Sequence, residues 1–345
     1  MSFNVVNNQS ESKAACAGKG SLSGFFNRVI RWVDAEAAGP ADQIHSHTGN
    51  RIDWVRCIPF IALHIACLGV IWVGVSPVAV LMCLAMFVLR MFAITAFYHR
   101  YFAHRSFKTS RGWQFFFAAL GNTACQRGAL WWASHHRKHH KHSDQDADLH
   151  SPVRHGFWWS HVGWFMCEDG FKTDYSVIKD WAKFPELRFL NRFDVISPAI
   201  FAVLIYGAGE VIAAFWPEAG TSGMQMLVWG FVVSTVLLFH ATFTINSLGH
   251  IWGSRRFNTQ DHSRNNAVLA LLTLGEGWHN NHHRFAVSAR QGFYWWELDI
   301  SYLLLKMLSW IGVVRDLNPV PERILQEGRD SRRAQCMGGE DNHGN

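Results

Sequence analysis

The chain has 345 residues, 49% of them hydrophobic and only 17% charged, with 17 Trp and 26 Phe. That charged fraction lies below the quarter or so usual for soluble domains, and the length allows one large domain or two modest ones. The net charge of +6 comes from basic residues interleaved with acids and tryptophans, a pattern that suits anionic lipid headgroups and does not point to nucleic acid.

The opening residues carry no basic stretch followed by an apolar core and cleavage site, so no secretory signal is read. Residues 1–50 form a polar region expected to be partly disordered, 51–325 the membrane unit, and 326–345 a disordered tail. A bilayer crossing takes about 20 apolar residues. Four stretches qualify: 57–75, 78–98, 195–215 and 224–243. His64, Arg90, Glu210 and His240 interrupt them and are expected to face protein, as polar groups at membrane depth do. The connections Ser76-Pro77 and 216–223 hold no Lys or Arg, whereas 100–194 holds fourteen. Basic loops stay in the cytoplasm, so both hairpins dip in and return, leaving both termini and the central segment cytoplasmic. Residues 112–134 are apolar but broken by Gln114, Asn122, Gln126 and Arg127, and predict an interfacial helix rather than a fifth span. With two complete hairpins, everything between and after them shares one side. The seven Cys show no CxxC and no regular spacing, which reads as free thiols in a reducing compartment.

Twenty histidines concentrate just past the span ends. His99 and His104 follow the second stretch. His136, His139 and His140 stand in a basic run with His135 and His142. His250 closes Asn246-Ser247-Leu248-Gly249-His250 after the fourth stretch, and His279, His282 and His283 follow Glu276. Residues three and four apart share a helix face, so His136/His139/His140 and His279/His282/His283 converge. Neutral imidazole is a common ligand of first-row metals, and nine clustered rings exceed what one ion needs, which favours two metals. Structural zinc closes with about four ligands, usually including Cys, and neither Cys nor HExxH accompanies these groups. Transport sites lie near mid-membrane, unlike these. His45, His47, His64, His262 and His343 read as filler, and His135, His142, His150, His155, His161 and His240 as supporting or surface groups.

On these residues the chain resembles the membrane fatty-acid desaturases, in particular the acyl-CoA Δ9 (stearoyl-type) branch and its bacterial relatives. The resemblance runs over residues 54–321. The family pattern HxxxxH, HxxHH, NSxxH, HxxHH stands here as His99/His104, His136/His139/His140, Asn246/His250 and His279/His282/His283, with Ser160-His161-Val162-Gly163-Trp164 and Glu276-Gly277 as flanking matches. The resemblance implies four transmembrane helices under a cytosolic helical cap, in a bacterial cytoplasmic membrane. It implies two irons held by the nine histidines, with Asn246 reaching one through a water, O2 as co-substrate, and a fatty acyl chain in a bent tunnel. In the animal enzymes basic residues after the Ser-His-Val-Gly-Trp stretch bind CoA phosphates, whereas this chain has Cys167 and Glu168 there, and Ser134-His135 replaces an Arg-Asp pair. The carrier is thus open between CoA, acyl carrier protein and phospholipid. A side chain twelve residues before His99, Phe87, is expected to cap the tunnel, with Cys83 one turn further and Trp132 also lining it; plain packing of Phe87 is the alternative.

A CH2 group has no acidic proton, so the oxidation belongs to the metals and the protein positions the chain. Asp144, Asp146, Asp148 and Glu276 are candidates to hydrogen-bond ligand imidazoles, or else surface acids. No glycine-rich dinucleotide fingerprint occurs, so electrons are expected from a separate ferredoxin, flavin reductase or b-type cytochrome. A di-iron hydroxylase, and more distantly a non-enzymatic metal transporter, remain as alternatives.

Overall fold

The computed structural model describes residues 20–37 and 51–340. The remaining parts of the polar N-terminal region, with His45, His47 and His343, lie outside the described residues. Four helices are long and apolar enough to cross a bilayer: Trp54–Val73, Pro77–Ala103, Ile196–Phe215 and Gly223–Ser247. Their starts follow from capping chemistry. Asp53, Ser76 and Ser222 each accept a hydrogen bond from a first-turn N–H, at 3.3, 3.2 and 3.2 Å, which satisfies donors a helix leaves orphaned. Pro77 supplies the helix-compatible first residue of the second span.

The spans form two hairpins whose tips are tied together. Ser76 Oγ donates to Gln225 Oε1 at 2.7 Å, and Gln225 Nε2 returns to the Val73 carbonyl at 2.8 Å. The polar interruptions face protein. Fully buried Arg90 donates to Thr123 O, Thr235 Oγ1 and Ser234 Oγ at 3.1, 2.6 and 2.5 Å. His64 meets His240 at 3.1 Å, and Glu210 accepts from Gly223 N at 3.0 Å. Such pairing is what makes polar groups tolerable at that depth.

At the opposite end from these tips, short helices make a cap: Arg111–Asn122, Ala129–His142, Pro185–Arg192, Ala267–Leu272, His279–Arg284 and Ile300–Trp310. Among the described residues the only strands are an antiparallel pair, Lys108–Thr109 with Val314–Arg315. The main core lies where the second span enters the cap. There the rings of Phe97 and Phe117 stack with centroids 3.5 Å apart, and Tyr98 and Phe102 are fully buried.

Two expectations are corrected. The single interfacial helix over 112–134 is two helices, parted at residues 123–128, where Cys125 and Arg127 take φ of 57° and 66°. Left-handed backbone ends a helix, so Asn122, Gln126 and Arg127 mark the first helix's end and the turn after it, while Gln114 is buried within that helix and accepts from Tyr101 Oη at 3.0 Å. The tail expected to be disordered from 326 is helical over Glu322–Glu340. It is held by Tyr294 Oη donating to Leu325 O at 2.8 Å and by the Arg284–Glu327 pair at 2.6 Å. Within the polar N-terminal region, Gly20–Ile30 is helical.

Candidate metal centre

The second span does not end as an α-helix. From Ala93 to Ala103 it is a π-helix, and the His104 N–H donates to the His99 carbonyl five residues back, at 3.2 Å. In an α-helix residues five apart point roughly 140° away from each other. Bonding to the fifth residue instead stacks them, and the His99 and His104 rings meet with centroids 4.9 Å apart.

The nine boxed histidines fall into two groups. Nitrogens of His99, His104, His136, His140 and His282 lie within 4.8 Å of one another, and so do those of His139, His250, His279 and His283. The two HxxHH helices serve both. In Ala129–His142 the i,i+4 pair His136/His140 joins the five-histidine group and His139 the other. In His279–Arg284 the pair His279/His283 joins the four-histidine group and His282 crosses to the other. The expectation that each triplet shares one destination is refined accordingly: adjacent histidines lie about 100° apart on a helix and so reach two centres. Gly249 makes room beside His250, since a Cβ there would stand 3.2 Å from His279 Cδ2.

Carboxylates orient the rings. His250 Nδ1 donates to Asp144 and His139 Nδ1 to Asp148, both at 2.9 Å, and His283 Nδ1 to Asp261 at 2.6 Å. His99 Nδ1 is paired with Glu276. Glu276 is itself anchored by fully buried Arg100 at 3.1 Å, which also reaches Asp299 at 3.0 Å. Burial alone would raise these acids, but their imidazole partners hold Asp144, Asp148, Asp261 and Glu276 below the usual carboxylate range. Burial, reinforced by crowding among the rings, holds His104, His136, His140, His279 and His282 well below the ordinary histidine value. His283 is lowered to about 4 by burial, against the pull of Asp261.

This donor chemistry fits metal. With Nδ1–H committed to a carboxylate, His99, His139, His250 and His283 present Nε2 lone pairs. His250 Nε2 faces His279 Nε2 at 3.0 Å, and His99 Nε2 faces His282 Nε2 at 3.0 Å. His283 Nε2 and His279 Nδ1 are buried without a hydrogen-bond partner. Buried polar atoms are normally satisfied, and imidazoles backed by carboxylates are the usual form of metal ligands.

Of the four proposed supporting acids, Asp144, Asp148 and Glu276 stand against ligand-type histidines, and Asp146 does not. Its side chain is 94% exposed and pairs with Arg154 at 3.5 Å, standing in the middle of the exposed run 145–147 between buried Asp144 and Asp148. Asp261 was not anticipated; it lies in an irregular loop where no periodicity marks an inward residue. Gln291 was likewise missed. Its Nε2 reaches Glu276 at 3.2 Å beside His99 and stands 3.5 Å from His282 Nδ1. His150 joins His139 and Asp148 in a third, outer grouping, lowered to about 3 by burial. His135 bonds the Lys172 carbonyl at 3.0 Å, and His262 contributes its backbone N–H to Asp144 at 2.7 Å.

A cavity of about 450 Å3 runs from this centre into the span ends. Its lining includes His99, His136, His139, His279 and Asn246, then Trp132, Ile94, Thr95, Leu63, Ala199, Ala202, Phe231 and Phe239. Trp132 stacks on His136 with centroids 4.9 Å apart. Phe87 and Cys83 are absent from this lining, which corrects the expected tunnel end. Phe87 packs against the main core instead. From this span Ile94 and Thr95 line the cavity.

A sequence profile described as "Fatty acid desaturase" matches residues 75–306. The chain is 39% identical over 227 residues to an "Acyl-CoA C20 Delta5-desaturase" of Anemone leveillei, covering 64% of this chain and 66% of that one. It is 36% identical over 221 residues to an "sn-1 stearoyl-lipid 9-desaturase" of Synechocystis sp., covering 64% and 65%. A protein of the same description from Anabaena variabilis is 34% identical over 281 residues, covering 79% of this chain and 97% of its own length. The match thus spans just under two thirds of the first two relatives and nearly all of the third.

Proposed function

This chain belongs to the fatty acid desaturase family, and from that premise we propose that it introduces a double bond into a saturated fatty acyl chain at a histidine-ligated di-iron centre. The observation that carries the reading is the sorting of nine imidazoles, five buried and four half-buried, into groups of five and four, backed by four carboxylates.

His99, His104, His136, His140 and His282 would hold one iron, and His139, His250, His279 and His283 the other, with Asn246 beside the second through a water. Bound iron supplies the redox chemistry with O2 that an unactivated CH2 group demands. The balance is one CH2–CH2 unit, one O2, two electrons and two protons, giving one CH=CH unit and two waters. The electrons come from a separate donor: a ferredoxin, a flavin reductase or a b-type cytochrome.

The chain's own residues do the positioning. Asp144, Asp148, Asp261 and Glu276 fix the tautomer of the rings they touch, so that Nε2 carries the lone pair. Trp132 and the apolar cavity hold the acyl chain and exclude water from the reacting carbons. Acyl-CoA is the proposed carrier and Δ9 the proposed position; the relatives' descriptions include acyl-CoA and acyl-lipid enzymes. The protein sits in a bacterial cytoplasmic membrane with both termini and the cap cytoplasmic. The test is expression in a host lacking unsaturated fatty acids, followed by lipid analysis. An alkene at C9 supports the reading. An alcohol, or no oxygen-dependent product, overturns it.

A further inference from the structure

We propose that the basic face around Trp181 is where the electron donor docks, and that this donor is a small acidic one-electron carrier protein; the inference rests on the desaturase reading, whose chemistry consumes two electrons per double bond. The face gathers residues from separate stretches of the cap. Arg105 directly follows His104, takes left-handed backbone with φ of 56°, uncommon for a residue with a side chain, and is 64% exposed. Lys108 and Arg315 stand opposite each other on the strand pair, both exposed, and Arg111, Lys179 and Lys183 are exposed too. Rings join these cations into one surface. Arg105 lies 5.5 Å from the Trp181 centroid, Arg111 and Lys183 lie 5.5 and 5.3 Å from the Phe184 centroid, and the two rings are 6.2 Å apart. The acids Asp180, Glu186 and Asp316 are paired with Arg137, Arg111 and Lys108. Lys179, Lys183 and Arg315 have no acid partner among the described residues, so the face keeps a positive charge.

The same face is connected inward. Trp181 is buried, and its Nε1–H donates to the Phe102 carbonyl at 2.7 Å. That carbonyl also accepts from Arg137 Nη2 at 2.9 Å, and Arg137 Nε donates to the Ala103 carbonyl at 2.9 Å. Arg137 is the chain neighbour of His136, Ala103 is the chain neighbour of His104, and those two rings meet Nε2 to Nε2 at 2.9 Å. A file of rings runs alongside. Centroids are 5.3 Å apart from Trp181 to Phe102, 6.2 Å from Phe102 to Tyr98, 6.4 Å from Tyr98 to Trp132 and 4.9 Å from Trp132 to His136. Electron transfer decays more slowly through bonds, hydrogen bonds and packed atoms than across empty space, so Trp181 is the point of entry. Each docking oxidises the carrier by one electron and reduces the centre by one, with no atom exchanged, and two dockings supply what one double bond consumes. Redox encounters of this kind are small and steered by opposite charge. Anionic lipid also suits a basic face, but headgroup binding gives no reason for a hydrogen-bonded path from that face to His104 and His136.

The test is binding of carrier proteins to the purified, iron-loaded protein in neutral detergent, read by biolayer interferometry at low and high salt. The probes are an acidic [2Fe–2S] ferredoxin and the acidic soluble domain of a b-type cytochrome, with basic cytochrome c as control. At least one acidic carrier should bind wild type at low salt and weaken about tenfold or more at high salt. The triple variant Lys179→Glu, Lys183→Glu, Arg315→Glu should weaken that binding by about tenfold or more. Arg333→Glu, a 77% exposed side chain on the Glu322–Glu340 helix, should change it less than about twofold. Trp181→Phe keeps a ring and loses the Nε1–H bond; it should bind the carrier like wild type yet oxidise the bound, pre-reduced carrier more slowly in stopped flow. Iron content and a monodisperse elution profile check each variant's fold, and the surface triple decides if Trp181→Phe fails that check. Triple-variant binding equal to wild type, or wild type preferring the basic control, overturns the docking face. A loss of binding to phosphatidylglycerol vesicles with carrier binding unchanged assigns the face to lipid and overturns it too. An unchanged oxidation rate in Trp181→Phe overturns the entry point. No oxygen-dependent product with either carrier or with a chemical reductant would instead refute the desaturase reading beneath it.

Discussion

Asp261 offers the sharpest test of the centre, because the carboxylate behind His283 has no obvious signature in the sequence. Its Oδ2 accepts from His283 Nδ1 at 2.6 Å, and its other oxygen accepts from Ser263 N at 3.0 Å and Thr259 Oγ1 at 2.9 Å. The carboxylate is therefore fixed from both sides and in turn fixes which nitrogen of His283 carries the proton. Removing such a partner typically lowers metal affinity 10- to 100-fold, about 1.4–2.7 kcal/mol. Asp261→Asn keeps an oxygen acceptor and loses only charge, so it should fall at the low end. Asp261→Leu strands the His283, Ser263 and Thr259 donors and should reach the high end or beyond. Asp146→Asn is the control, since that side chain is 94% exposed. The assay titrates iron-loaded protein with a chelator and measures retained iron by mass spectrometry. Midpoints should fall in the order wild type and Asp146→Asn, then Asp261→Asn, then Asp261→Leu. An Asp261→Leu curve superimposed on wild type would refute the role given to this carboxylate.

His139→Ala and His282→Ala sit in different groups, so each should lower iron from about two per chain toward one, yet either alone should abolish product as fully as the double variant, because groups acting as a unit are not additive. Normal oxygen-dependent product from either single variant would contradict a shared centre. Reporter tags inserted at residue 150 and at the C-terminus should report one face of the membrane and a tag near Ala219 the other; opposite reports from 150 and the C-terminus would break the two-hairpin topology. Phe87→Ala should leave the chain-length profile unchanged, since Phe87 does not line the cavity, whereas Ala202→Phe should shift preference to shorter acyl chains; each methylene forced against a wall costs about 1–3 kcal/mol. Product analysis across saturated chains of increasing length separates these outcomes.

The spans were legible because bilayer thickness imposes a length and composition that few other constraints imitate. Their cap-side ends were not. The second span runs to Ala103 and the fourth to Ser247, past the limits of 98 and 243 that hydropathy suggests, because the helices continue into polar, histidine-bearing turns. The break at residues 123–128 was hidden for a related reason. Cys125 and Arg127 adopt left-handed backbone without being Gly or Asn, so nothing in their identity marks the turn. The Glu322–Glu340 helix looked like a frayed tail by composition alone. What orders its first half is pairing with distant residues, Arg284 and Tyr294, which no local reading contains.

The histidines themselves were plain in the sequence, but their division was not, and the reason lies in helix geometry. A triplet HxxHH on an α-helix supplies one i,i+4 pair and one residue rotated off it by about a quarter turn. If a single ion took all three, that rotation would be a defect. With two ions side by side the same rotation becomes the means of bridging them, and two such helices can each give a pair to one ion and a single ring to the other. The structure has this exchange, with His136/His140 and His279/His283 as the pairs and His139 and His282 as the crossing rings. The five-residue spacing of His99 and His104 belongs to the same logic. It fails on an α-helix and succeeds on the π-helix of Ala93–Ala103, where the wider turn brings both rings into the same five-histidine group. The spacings HxxxxH and HxxHH thus answer different backbones, a π-helix for the first and α-helices for the second.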